Sequence, residues 1–211
     1  MSKIYAIGDI HGEITKLNKL ISIIPYKDGD TVVFLGDYID RGENPYEVIN
    51  SLIELKDNWN CVFLIGNHEQ MFMDYLRGYK QDLYLYNGGV QTLKSYNVDS
   101  NEQLNFKLPE EHELFFKNLK LYHETKNYIF VHAGLWIVKQ PLSLITDDIL
   151  LWIRNEFINC DTDYGKKVIF GHTPLNEPLV MNNKIGIDTG AFMNDGKLTC
   201  IVLPDETFIQ V

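Results

Sequence analysis

A chain of 211 residues can bury a sizeable core as one compact domain or two small ones, and 45% hydrophobic with 23% charged residues marks a globular protein rather than a disordered one. A net charge of −10 without any Lys/Arg block excludes the clustered basic surface that nucleic-acid backbones require, and no apolar run reaches membrane-spanning length. Met1 to Asp9 is too short an apolar run for a signal peptide, and Cys61, Cys160 and Cys200 form no CxxC pair, so reduced thiols and a cytoplasmic location are expected.

In chain order, Lys3 to Gly8 predicts a buried strand ending in Asp9-Ile10-His11-Gly12. Ile14, Leu17, Leu20, Ile21 and Ile24 recur at helical spacing until Pro25 and Gly29 stop the helix. The β-branched run Thr31 to Leu35 predicts a second strand, which delivers Gly36-Asp37-Tyr38-Ile39-Asp40-Arg41-Gly42. Pro45 suits the first turn of a helix whose apolar face is Val48, Ile49, Leu52, Ile53 and Leu55. A third strand, Cys61 to Ile65, ends in Gly66-Asn67-His68-Glu69, and a helix follows through Met71, Phe72, Tyr75 and Leu76. Such strand–loop–helix units in succession imply a parallel sheet with right-handed crossovers. Each unit puts Asp, His or Asn at a strand's carboxyl end, where open α/β sheets bind ligands.

The texture changes over residues 77–127, which read as a helical cap insertion rather than a separate domain. It is punctuated by Tyr79, Tyr84, Tyr86 and Tyr96, with a turn at Asn87-Gly88-Gly89 and helices over Val90 to Tyr96 and Glu110 to Leu119. Tyr128 to Val131 is a fresh strand ending in His132-Ala133-Gly134, and Pro141 to Arg154 reads as a loop and short helix. Strands are then predicted over Val168 to Phe170, ending in Gly171-His172-Thr173, and around Ile185 to Ile187, ending in Asp188-Thr189-Gly190. Lys197 to Leu203 and Thr207 to Val211 complete the set. A strand-rich second half implies a second sheet packed on the first.

The chemistry sits at the strand ends. Asp37 is the candidate central metal ligand, Asp40 an orienting carboxylate and Arg41 a phosphate fork; the plain structural alternative is an acidic turn that caps a helix. Asp9, His11, Asp37, Asn67, His132 and His172 form a mixed carboxylate, imidazole and amide set, suited to Mn, Fe or Zn rather than calcium. Of the chain's 6 histidines, His11, His68, His132 and His172 flank glycine or asparagine at predicted strand ends, while His112 and His123 read as surface residues. Such a set is too large for one ion and suits two that share Asp37. Two metals ~3.5–4 Å apart acidify a bridging water and clamp both oxygens of an in-line displacement. Arg41 lies beside that loop; Arg154 reads either as a second phosphate ligand or as a solvated helix-end arginine.

These motifs resemble, in order, the signature of the phosphoprotein phosphatase branch of the calcineurin-like metallophosphoesterases. Gly8-Asp9-Ile10-His11-Gly12, Gly36 to Gly42 and Gly66-Asn67-His68-Glu69 are similar to its amino-terminal motifs, and His132-Ala133-Gly134 and Gly171-His172 to its two downstream histidine motifs. The resemblance implies an α/β fold, a two-sheet α/β/β/α metallophosphoesterase sandwich, with two divalent ions, commonly manganese or iron/zinc. It implies Asp9 and His11 on one metal, Asn67, His132 and His172 on the other, and Asp37 between them. It also implies His68 as general acid, Asp40 as its orienter, and Arg41 with Arg154 on the phosphoryl group.

The expectation is therefore a phosphomonoesterase acting on phosphoserine or phosphothreonine in proteins, with phosphotyrosine as a further option, by direct attack of a bridging hydroxide. The alternative in the same chemistry is a symmetrical dinucleoside tetraphosphatase, whose adenine could stack on the aromatic residues of the insertion. A remoter one is a phospho-ligand binding module with a dead site. The partner expected is a phosphorylated protein or nucleotide substrate, without nucleic acid or membrane. No match to the carboxyl-terminal segment of the longer eukaryotic enzymes is present, so a regulatory subunit is not implied.

Overall fold

The computed structural model describes residues 2–98 and 106–211. Part of the predicted insertion, residues 99–105, lies outside the described residues. The first sheet has the order β10-β9-β1-β2-β3, with β1 (Ile4–Ile7), β2 (Thr31–Phe34), β3 (Cys61–Phe63), β9 (Thr199–Leu203) and β10 (Thr207–Gln210). β1, β2 and β3 are parallel, joined through α1 (Ile14–Ile23) and α2 (Pro45–Leu55), while β9 runs antiparallel to β1 and β10. α3 (Asn67–Leu76) follows β3.

The second sheet has the order β4-β5-β6-β8-β7, from β4 (Tyr122–Glu124), β5 (Tyr128–Val131), β6 (Lys167–Phe170), β7 (Leu179–Val180) and β8 (Lys184–Gly186). Its central strands β5, β6 and β8 are parallel, and β4 and β7 cap its edges in antiparallel pairing.

The strand sequences lack apolar/polar alternation because both faces of their sheets are covered. In β1, Tyr5 and Ile7 face the helices while Ala6 faces the other sheet; in β2, Val32 and Phe34 divide from Val33 in the same way. In the second sheet Ile129, Val131, Val168 and Phe170 face outward, and Phe130 and Ile169 face inward. The inward set, with Leu64, Ile185, Ile187 and Ile201, is the apolar layer between the sheets. The outward faces are covered by α1 and α2 on one side, and by α7 (Asp147–Trp152) and α8 (Asn155–Ile158) on the other. The result is an α/β/β/α sandwich. Among the described residues, no helix is long and apolar enough to cross a membrane.

Residues 77–98 and 106–127 are helical only in part. α4 (Gln81–Tyr84) runs through a π-turn, Leu85–Gly89, into α5 (Val90–Ser95), so the expected turn at Asn87 to Gly89 lies within a helical kink with Gly88 at φ +100°. α6 (Glu110–Lys117) follows, and the segment then ends in β4, a strand not expected from sequence. His112 is a correction. It is 1% exposed rather than on the surface, its Nε2 donates to Asn50 Oδ1 at 2.7 Å, and its Nδ1 accepts from the Tyr96 hydroxyl at 2.7 Å. His123 is half-buried on β4. Tyr84 and Tyr96 are buried rather than displayed for stacking, whereas Tyr79 and Tyr86 are exposed.

Candidate active site

The loops after β1, β2, β3, β5, β6 and β8 meet at one end of the sandwich. Ile10 and His11 donate their N–H groups to Asp37 O, and His172 N–H reaches the Asp9 carboxylate at 3.0 Å, linking the two sheets. A Cβ on Gly66 would fall 2.1 Å from Asp37 Oδ1, and one on Gly171 2.1 Å from Asp9 Oδ1, so only glycine lets these loops close on the carboxylates. His11, Asp37, Asp40, Arg41 and His172 all have positive φ, between 47° and 68°. Non-glycine residues in that region cost about 1–3 kcal/mol each, a strain concentrated where side chains must be aimed.

The histidine hydrogen bonds fix which ring nitrogens are bare. A main-chain carbonyl can only accept, so Nδ1–H of His11 donates to Ile39 O and Nδ1–H of His132 donates to Leu35 O, each at 2.9 Å. Their Nε2 lone pairs therefore face inward, as in rings that ligate metal. His11 Nε2 lies 3.5 Å from Asp37 Oδ2, and His132 Nε2 lies 3.4 Å from Asp37 Oδ1 and 2.9 Å from Asn67 Oδ1. His172 Nδ1 is also 2.9 Å from Asn67 Oδ1, and its Nε2 is buried without a partner. The bare Nε2 of His132 thus faces the acceptor oxygens of Asn67 and Asp37 lone pair to lone pair. Two groups of ligand atoms, His11–Asp37–His68 and Asp37–His132–His172, each lie within 4.8 Å of one another and have Asp37 in common. Such donors fit divalent cations on either side of Asp37.

The electrostatics agree with that fit. Burial pushes the pKa of His11 and His132 down, and that of His172 down to about 2, which keeps the rings in the neutral, ligating form. Burial raises Asp9, with the charges of Asp188 and Asp37 adding to it, and raises Asp188 to about 6. Burial also opposes ionisation of Asp37, and among the rings around it His68, whose own pKa is raised, is the one that supplies positive charge to hold the Asp37 pKa low. Carboxyls crowded and buried this way need cations to stay charged together.

His68 stands differently. Its Nδ1 is 2.6 Å from Asp40 Oδ2, and its Nε2 lies 3.9 Å from Asp37 Oδ2, at the edge of the first group. Burial works against its charged ring, but the charges of Asp37 and Asp40 prevail and raise its pKa. Asp40 Oδ1 in turn accepts from the hydroxyls of Thr92 at 2.5 Å and Tyr84 at 2.8 Å. Arg41 Nη1 is 2.8 Å from His11 Nε2, and its guanidinium lies 4.6 Å over the Phe192 ring. Arg154, exposed, donates to His172 O at 3.0 Å, which brings it to the site from the start of α8.

The structure thus brings together every residue singled out from sequence. It also adds members. Asp188 is buried at a strand end of the same grammar as Asp9 and Asn67, a signal that could have flagged it. Glu69 is fully buried, and its carboxylate accepts from Gly66 N, Asp37 N and Tyr38 N at 2.8 Å each, splinting two ligand loops. A glutamate at the third position of α3, where a capping box places it, is the sequence trace of that role. Tyr84 and Thr92 left no such trace.

The profile of the calcineurin-like phosphoesterase family matches residues 2–188. A protein of Oceanobacillus iheyensis named bis(5′-nucleosyl)-tetraphosphatase PrpE (asymmetrical) is 30% identical over 99% of this chain and 92% of its own length. A Bacillus mycoides protein of the same name is 28% identical over 97% of this chain and 92% of its own. Among solved structures, one described as a candidate diadenosine tetraphosphatase superposes with a TM-score of 0.73 at 21% identity, covering 100% of this chain and 93% of that one. A Saccharomyces cerevisiae protein serine/threonine phosphatase superposes at 0.66 and 17% identity, covering 100% and 79%. The chain belongs to the calcineurin-like phosphoesterase family, whose members are metal-dependent phosphoesterases.

Proposed function

We propose that this protein hydrolyses dinucleoside tetraphosphates with the help of two divalent cations; the mixed donor set suits Mn, Fe or Zn, and the family resemblance favours manganese. The observation that carries this reading is the similarity over nearly the whole length to proteins bearing that name, at 30% identity in the Oceanobacillus case. A phosphoprotein substrate, first in the motif-based expectation, moves to second place because the same motifs serve either reaction. The relatives' name specifies asymmetrical cleavage, so that mode replaces the symmetrical one weighed from sequence. A single domain with residues 77–127 as a cap, and a cytoplasmic location consistent with three free thiols, belong to the same proposal.

Asp9, His11 and Asp37 would hold one cation, and Asp37, Asn67, His132 and His172 the other. Bound divalent cations supply Lewis-acid neutralisation of phosphoryl charge and lower the pKa of the attacking water. The chain's own groups do the rest. Arg41 and Arg154 bracket the site as cations able to fork onto phosphoryl oxygens. His68, kept protonated by Asp40, delivers a proton to the departing oxygen as the P–O bond breaks. Asp40 fixes the ring by taking its Nδ1–H, and Thr92 and Tyr84 fix Asp40.

Product analysis tests the reading. Manganese-loaded protein given diadenosine tetraphosphate should yield AMP and ATP in equal amounts. ADP alone would make the cleavage symmetrical. No cleavage, alongside turnover of a phosphoserine peptide, would restore the phosphoprotein reading.

A further inference from the structure

A cavity of about 250 Å³ opens beside the metal-ligand cluster, between α3, α4 and α7, and its walls include Gln70, Met71, Lys80, Leu83, Asp148 and Trp152. None of these residues belongs to the proposed metal, acid or phosphate set, yet both walls run into it. Gln70 lies two positions after His68 on α3, on another side of the helix, and it is linked to the site through Trp152. Across the cavity, the Trp152 indole stands edge-on to the His172 ring, with centroids 6.2 Å apart and planes at 82°. The indole Nε1–H donates to Gln70 Oε1 at 3.1 Å, which ties the walls together.

That hydrogen bond matters because Trp152 is 37% exposed, and Leu83, which lines the same cavity, is 44% exposed. The pinned indole, with Leu83 and Met71, offers an apolar surface in a cavity whose remaining lining, Gln70, Asp74, Lys80 and Asp148, is polar or charged. The cavity volume is below the ~300–1,000 Å³ of sites that enclose drug-sized ligands, a scale suited to one heteroaromatic ring system. A peptide would need rows of backbone donors and acceptors to dock; this wall offers an indole, Leu83 and Met71. Lys80 adds a cation to the cavity lining, beside the carboxylates of Asp74 and Asp148.

We infer that this cavity is the nucleobase subsite, with a purine of the substrate stacked on Trp152. This rests on the dinucleoside tetraphosphate reading and says which residues distinguish a nucleotide from bare polyphosphate. Base-on-aromatic stacking is sequence-tolerant, so the subsite would accept other bases than adenine.

The test is calorimetric binding to manganese-loaded protein, using a methylene-bridged, cleavage-resistant diadenosine tetraphosphate and inorganic tetrapolyphosphate as a base-free control, with metal content checked in each variant. Wild type should prefer the nucleotide, and Trp152→Ala should reduce that preference about tenfold or more, with Trp152→Phe restoring most of it. Leu83→Glu, on an exposed position, gives a second variant with the same expected loss. An equal preference in wild type and both variants, or no preference in wild type, overturns the subsite. If the preference depends on Trp152 but only phosphoserine peptides are cleaved, the subsite stands and the dinucleotide reading fails. If the dinucleotide is cleaved but the preference is unmoved in the variants, the dinucleotide reading stands and the subsite fails.

Discussion

The phenol of Tyr84 donates to Asp40 Oδ1 at 2.8 Å, while the other oxygen of that carboxylate holds His68 Nδ1 at 2.6 Å. A side chain from the helical segment after α3 thus braces, through one carboxylate, the group that would protonate the leaving oxygen. Tyr84→Phe keeps the ring in its buried place and removes only the donor. Losing a hydrogen bond to a charged acceptor costs roughly 1.5–3 kcal/mol, divided between folding and catalysis. Turnover of alkyl phosphates should fall by about one decade, with p-nitrophenyl phosphate hurt less. An equal loss on both substrates would make Tyr84 a purely structural contact.

His68→Asn should separate substrates by how badly their leaving oxygen needs a proton. General acid catalysis is worth about 10²–10⁴-fold where that need is acute. Phosphoserine-type substrates should suffer that loss, and p-nitrophenyl phosphate far less. Metal content should not change. Loss of one ion with uniform slowing would make His68 a ligand instead.

Arg154→Ala tests the exposed arginine that reaches His172 O. It should raise the Michaelis constant and the inhibition constant for inorganic phosphate by about one to two decades, the scale of a charge-assisted hydrogen bond. Unchanged phosphate inhibition would return Arg154 to the solvated surface.

His112 gives a prediction about stability. Burial lowers its pKa from 6.5 to about 4, and its two ring nitrogens are matched to Tyr96 and Asn50 only in the neutral form. The unfolded chain takes up the proton near 6.5 and the native ring does not, so the stabilising contribution is complete above 6.5 and drains away as pH falls towards 4. The loss is at most about 3 kcal/mol. Urea midpoints of wild type should drop more between pH 7 and pH 5 than those of His112→Gln; parallel drops would contradict it.

His112 also shows where the sequence is hard to read. In Glu110-Glu111-His112-Glu113 the acidic neighbours suggest a solvated face, yet His112, Phe115 and Phe116 fall at i, i+3 and i+4, the buried stripe of α6. β4 was illegible for another reason: Tyr122-His123-Glu124 has no apolar alternation, and its strand exists because Tyr122 pairs with Val131 and Glu124 with Ile129. The central strands were plain because both faces are buried and their residues are uniformly apolar. The candidate ligand residues were easy to single out because each occupies a strand's carboxyl end, a local position. Tyr84 and Thr92 reach Asp40 across 44 and 52 residues, a relationship that no local pattern encodes.

The central claim is that Asp37 is shared by two cations which the reaction needs. Metal content per chain, measured by mass spectrometry on wild type and Asp37→Asn beside diadenosine tetraphosphate turnover, tests it most directly. Wild type should hold two ions, and Asp37→Asn should lose metal and activity together, because removing a shared anionic ligand weakens both sites. Two tightly held ions and normal turnover in Asp37→Asn, or full wild-type turnover after complete chelation, would contradict it.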